Sequence, residues 1–341
     1  MRFDSNNGGH QRQGDTMKMN RRQAMAITGA ALTAGSLPSF AQDSYPKKAI
    51  RIVLPWVAGT PGDTALRAVV ERMSVDLKQP IYIDNKSGAT GTAAMPEVLR
   101  APADGYTLFH MNSSSLVAPL LYPAANIDYV RDFVGIGPFS SIFSVLATST
   151  AQPFKTVPEL VAAAKAKPGA LTYASAGNGS PPHLVGELFK QAAGVDILHV
   201  PYAQVSQALA DLTTGRVDMM FMGAPLAVPQ VTGGRLRAVA VTSAQRLPWI
   251  PEIPTFVEAG YKDVVFRQFD GLLARKGTPQ GVVGILGASL QKALATPMVQ
   301  EVFHKNSIEV FSQSSQDFEK YLAVESVRWL SFGKRIGISA A

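Results

Sequence analysis

Short apolar runs alternate with amphipathic helical stretches along most of the chain, which predicts an α/β fold with parallel sheets. Two observations sharpen that class. At 49–77 and again at 171–194, a strand passes through a glycine-bearing loop straight into a helix N-terminus, and a serine-rich loop follows another strand. Ligands of such sheets sit beyond the carboxyl ends of the strands, so these loops form the candidate site. With 341 residues, 46% apolar and 17% charged, the chain is long enough for two domains of ordinary globular composition.

The N-terminus has its own logic. Arg21-Arg22 is followed by an apolar segment, Ala24 to Leu37, and then by Ser39-Phe-Ala41. Basic region, apolar region and small-x-small site predict a signal peptide over 1–41 with cleavage near Ala41, and the paired arginines resemble a twin-arginine signal. Met1 and Met17 are both possible starts. Of the net charge of +7, +3 lies in 1–41, which leaves +4 on the mature chain. No basic run with interleaved aromatics occurs, so nucleic acid is not an expected partner. The chain has no cysteine, which excludes disulfides and a lipoprotein anchor. A soluble periplasmic protein is expected.

Taken in order, Ala49–Leu54 reads as a buried strand that leaves through Pro55-Trp-Val-Ala-Gly-Thr-Pro-Gly62. Asp63 or Thr64 is the expected cap of the next helix, whose Leu66, Val69, Val70, Met73 and Leu77 share one face. Ile81–Asp84 is a strand, and 86–91 leads into a helix ending near Arg100, where Pro96 marks a late start or a kink. Tyr106–Phe109 is a strand with the hydroxyl-rich loop Asn112–Ser115 at its far end. Phe143–Ala147 reads as a strand and Val157–Ala166 as a helix. Asp196–Val200, Val217–Phe221 and Leu236–Val241 read as strands, and Ser206–Thr213 as a helix.

The stretch 171–194 is the most informative. Leu171–Ala174 is a strand end, and Ser175-Ala-Gly-Asn-Gly-Ser180 is a turn in which Gly177 and Gly179 permit positive φ. Ser180 reads as an N-cap, Pro181 as the first helical residue and Gly194 as the stop. Free backbone N–H groups and a helix dipole converge there into an anion cradle without arginine, although the turn alone is equally an ordinary βα connection. A side chain on Gly179 is expected to point into that cradle, whereas Gly233 lies outside the proposed cleft.

Other chemistry is missing. The five histidines lack metal-site spacing, and G-x-S-x-G and G-x-x-x-x-G-K-[ST] are absent. GNGSPP lacks the third glycine of a dinucleotide fingerprint. His183 is expected to pack rather than to catalyse. No catalytic residue, metal or cofactor is expected.

Several motifs recur in order: Pro55-Trp-x-x-Gly59 with Asp63, Ala103-Asp-Gly-Tyr-Thr-Leu108, Val130-Arg-Asp-Phe133 and Tyr173-x-Ser-Ala-Gly-Asn-Gly-Ser180. His199-Val-Pro-Tyr202, Gly215-x-Val-Asp-Met-Met-Phe221, Pro254-Thr-Phe-x-Glu-Ala-Gly260 and Gly271-Leu-Leu-x-x-x-Gly-Thr-Pro279 follow. Together they make the mature chain resemble the Bug (TctC-like) periplasmic receptors of tripartite tricarboxylate transporters. The resemblance implies a type II periplasmic-binding-protein fold, with two α/β domains joined by two crossover strands and a ligand cleft between them. Domain 1 would be discontinuous, 42–140 with 246–341, and domain 2 would be 141–245. A carboxylate would be held by amides, hydroxyls and bound water at Trp56, Gly59, Thr60, Gly62 and Asp63, with Ser113 and Ser114 nearby. The facing loop would supply Ser175, Ala176, Gly177, Asn178, Gly179 and Ser180. Trp56 and Phe269 are placed by loop position to face the body of an organic acid, with core packing as the alternative.

The chain departs from the family pattern at Thr60-Pro61, at Ala203-Gln204 after Val-Pro-Tyr, and at Met222-Gly223 after Met-Met-Phe. The function implied is a monomeric, non-enzymatic receptor delivering a carboxylate, aromatic acid or amino acid to an inner-membrane carrier. The alternatives are a ligand sensor that signals to a membrane kinase, and a hydrolase or isomerase for which no nucleophile–base pair is legible.

Overall fold

A computed structural model of the chain describes residues 45–87 and 92–339. The expected signal peptide at 1–41 and the 88–91 part of the loop at 86–91 lie outside the described residues. Ten strands are described: β1 Ile50–Leu54, β2 Ile81–Asn85, β3 Thr107–Asn112, β4 Phe133–Ser149 and β5 Thr172–Ser175. The others are β6 Leu198–Pro201, β7 Met219–Gly223, β8 Leu236–Val241, β9 Arg267–Arg275 and β10 Glu309–Val310. They run in the order β2-β1-β3-β9-β4-β7-β5-β6, with β8 and β10 also paired to β4.

The sheet is mixed, which corrects the expectation of parallel sheets. β1 is parallel to β2 and β3, and β5 to β6 and β7. β4 is antiparallel to β7, β8, β9 and β10, and β3 is antiparallel to β9. The chain direction of β4 explains where the site forms. Its first part, from Phe133 to Phe143, pairs with β9, and its second, from Ser144 to Thr148, pairs with β7. β1 and β3 run the same way as β4, whereas β5 and β7 run the opposite way. Both sets of carboxyl ends therefore face the middle of β4, near Ile142–Ser144.

β4 is buried at every position, yet the sequence suggested a strand only over 143–147. Gly135, Gly137, Pro138 and a run of serines interrupt its apolar pattern. The interruptions have a packing cause. A Cβ on Gly135 would lie 3.0 Å from Phe318, and one on Gly137 3.0 Å from Leu290. The register shifts at Gly135/Gly137 and Pro138/Ser140 are bulges, where a proline without an N–H is tolerated.

Three helices unread in the sequence, Gln280–Leu294, Pro297–Lys305 and Ser315–Arg335, complete the chain. The last buries Phe318, Leu322, Trp329 and Phe332 in a cluster that also holds Phe109, Phe269, Tyr173, Phe189 and Phe221. Pro96 falls in the first turn of Met95–Arg100, so it marks a late start.

Candidate functional site

The helix Pro61–Leu77 shows how one wall is built. Thr60, not Asp63 or Thr64, is its cap, because Pro61 has no N–H to offer and begins the helix. The Asp63 N–H donates to Thr60 Oγ1 at 3.4 Å, and Asp63 Oδ2 accepts the Gly59 N–H at 2.9 Å, a reciprocal clasp that closes the loop. Arg67 Nε donates to the same carboxylate at 2.9 Å. Burial alone would raise the Asp63 carboxyl, but Arg67 and the Gly59 N–H outweigh it and hold it below its ordinary value. Asp63 is thus a loop clasp. It does not reach the cavity.

The facing wall is the loop 175–180. Ser175 Oγ accepts the Gly177 N–H at 3.0 Å and lies 2.6 Å from His199 Nε2. The Gly179 N–H donates to His183 Nδ1 at 3.1 Å, and Ser180 Oγ donates to the Gly177 carbonyl at 2.6 Å. The His183 and His199 rings stack at 4.2 Å beneath the loop. Burial depresses both imidazoles, and His199, also beside His183, falls to about 4. The N–H groups of Gly59, Gly177 and Gly179, expected to meet an anion, are therefore committed within their own loops.

These walls, the middle of β4 and the start of β9 line an open cavity of about 740 Å³, large enough for a small organic solute. The structure places Trp56, Gly59, Thr60, Gly62, Ser114, Ala176, Asn178 and Ser180 on its lining. Ser113 is turned away, its Oγ accepting the Phe269 N–H at 2.8 Å. Ser175 is fully buried behind the loop. Gly177 and Gly179 shape the turn with φ of 102° and 73° but do not line the cavity. A Cβ on Gly179 would point at Leu121 Cδ1, 2.7 Å away, and not into a cradle. Phe269 packs edge-on against Phe318 and Tyr321 in the core, so the alternative reading of that ring holds.

Side chains alternate along β9, so when Phe269 faces the core its neighbours Gln268 and Asp270 face the cavity. Sequence reasoning missed both, although two polar residues at period two around an aromatic were there to be read. It also missed Gly223, which caps the helix Ala224–Thr232 as a third strand-to-helix loop on the cavity. Lys86, directly after β2, is paired with Glu97. Among the described residues the lining contains no Lys, Arg or His, and its single ionisable group is Asp270.

Asp270 is 2% exposed. Its Oδ2 accepts Ser140 Oγ–H at 2.6 Å, and its Oδ1 lies 3.2 Å from Nε2 of the fully buried His110. Neither ring nitrogen of His110 makes a hydrogen bond. Gly62 allows this carboxylate to approach the helix Pro61–Leu77, since a Cβ there would stand 2.9 Å from Oδ1.

A sheet whose two halves turn their carboxyl ends toward one open cavity is an architecture shared with periplasmic binding proteins. The chain belongs to the tripartite tricarboxylate transporter family of receptors (TctC), whose model matches residues 65–338. It is 33% identical over 316 residues to the UPF0065 protein in the tcbD-tcbE intergenic region of Pseudomonas sp. strain P51, covering 92% of this chain and 94% of that one. The structure of periplasmic binding protein BugD is similar with a TM-score of 0.74 at 32% identity, covering 87% of this chain and 100% of the other. R. palustris Rpa4515 with adipate is similar with a TM-score of 0.77 at 30% identity, covering 87% and 100%.

Proposed function

We propose that this protein captures a small organic acid in the cavity by closure of two lobes and hands it to a tripartite carrier in the inner membrane. The lobes would be 42–140 with 246–341, and 141–245. After removal of the leader near Ala41, the mature chain would work in the periplasm. One observation carries the reading: the cavity is lined by uncharged donors, among them Asn112, Ser114 and Asn178, at the ends of opposed strands. Neutral hydrogen-bond donors oriented by a rigid scaffold suit a carboxylate, each bond to the charged group being worth about 1.5–3 kcal/mol. Family membership and the adipate held by Rpa4515 support the same class of solute.

A receptor role also fits the Ser175–His199 contact. The pair has the distance of a nucleophile and its base, but Ser175 is fully buried and its oxygen already serves Gly177. It holds the loop.

Thermal unfolding of the full chain against monocarboxylates, dicarboxylates, aromatic acids and amino acids tests the proposal. A solute at 100 times its Kd is expected to add about 2.7 kcal/mol of stability. If every class leaves the transition unmoved, while calorimetry also detects no heat of binding, the organic-acid reading fails.

A further inference from the structure

The buried carboxylate at the floor of the cavity has no counter-charge on the cavity's own lining. A carboxylate offers about four acceptor positions. In Asp270 one is filled by the Ser140 hydroxyl at 2.6 Å, and His110 Nε2 stands 3.2 Å from Oδ1, a counter-charge only when that imidazole is protonated. An anion that is 2% exposed and so sparsely bonded is costly to keep unless something else completes it. Asp270 lines the cavity directly, so the missing donor can arrive with the solute.

We infer that Asp270 selects for a solute carrying an ammonium group, making this an amino-acid-type receptor and not a dicarboxylate receptor. The inference rests on the organic-acid reading above. In that arrangement the solute carboxylate meets neutral donors such as Ser114 and Asn178, and its ammonium group meets the Asp270 carboxylate. A second carboxylate at that end would lie beside a desolvated like charge, with no lysine or arginine on the described lining to offset it. Gly62 belongs to the same device, because a side chain there would press on the carboxylate, its Cβ standing 2.9 Å from Oδ1.

The test compares solutes of matched length on the full chain by calorimetry: 4-aminobutyrate with succinate, 5-aminopentanoate with glutarate, and 6-aminohexanoate with adipate. In at least one pair the amino acid is expected to bind ten times or more tighter than its partner. Asp270→Asn is then expected to weaken the amino acid tenfold or more and to strengthen the dicarboxylate. A dicarboxylate that binds as well as or better than its amino partner in every pair overturns the inference and leaves the organic-acid reading standing. So does an Asn variant with unchanged preference. Failure of all the acids to bind removes both. Should Asp270→Asn not fold, the preference of the unaltered protein decides the matter alone.

Discussion

At the scale of single residues, the glycines of the two loops differ in what they protect. Gly177 has a φ of 102° with nothing within 4 Å of a would-be Cβ, so a side chain there meets only backbone strain. Gly179 combines a φ of 73° with a contact of 2.7 Å to Leu121. Gly177→Ala is therefore expected to cost about 1–2 kcal/mol. Gly179→Val adds overpacking against Leu121 and Val117 and should cost about 2–4 kcal/mol of apo stability. Urea titration of both variants measures the difference, and equal losses would show that Leu121 yields without cost. Gly233→Val is a poor neutral control for such work. A Cβ there would stand 2.9 Å from the Pro229 carbonyl.

At the scale of elements, the loop 175–180 is held by two imidazoles whose burial disfavours their charged form. His183 accepts the Gly179 N–H through Nδ1, so a proton on that atom removes the bond. In the unfolded chain a histidine titrates near 6.5, whereas His199 in the fold titrates at about 4. Between those values the unfolded chain binds more protons than the folded one. Stability is thus complete above pH 6.5 and falls as pH drops toward 4, above the range in which the depressed Asp63 carboxyl takes up its proton. Urea midpoints at pH 7 and pH 5 should differ in that direction, and His199→Gln should show a smaller difference. An undiminished difference in that variant would place the acid sensitivity elsewhere.

At the scale of the whole molecule, the proposed hinge lies where the chain crosses twice side by side. Ser144 in the middle of β4 donates its N–H to Thr242 Oγ1 at 2.9 Å and accepts the Thr242 N–H at 2.9 Å. Thr242 Oγ1 in turn donates to the Phe266 carbonyl at 3.0 Å. Two short tethered segments of this kind would let the proposed lobes rotate on one another while keeping their relative register. Solution X-ray scattering with saturating solute should show a smaller radius of gyration than the apo protein. An unchanged radius, with binding verified by calorimetry, would mean that the solute enters a cavity already closed.

The sequence by itself determined the α/β class, the loops at 55–63, 112–115 and 175–180, and the family. These depend on local signals: Pro181 opening a helix, glycines at positive φ, and apolar periodicity, each decided within a few residues of itself. Only the tertiary structure decided that the sheet is mixed, since the direction of β9 against β3 and β4 joins residues more than a hundred positions apart. It also decided which side of β9 meets the cavity. Strand parity is a period of two, so one residue separates Phe269 in the core from Asp270 on the lining. The same reason hid the environment of Asp270: Ser140 and His110 reach its carboxylate from β4 and β3, and no spacing along the chain announces a meeting between strands.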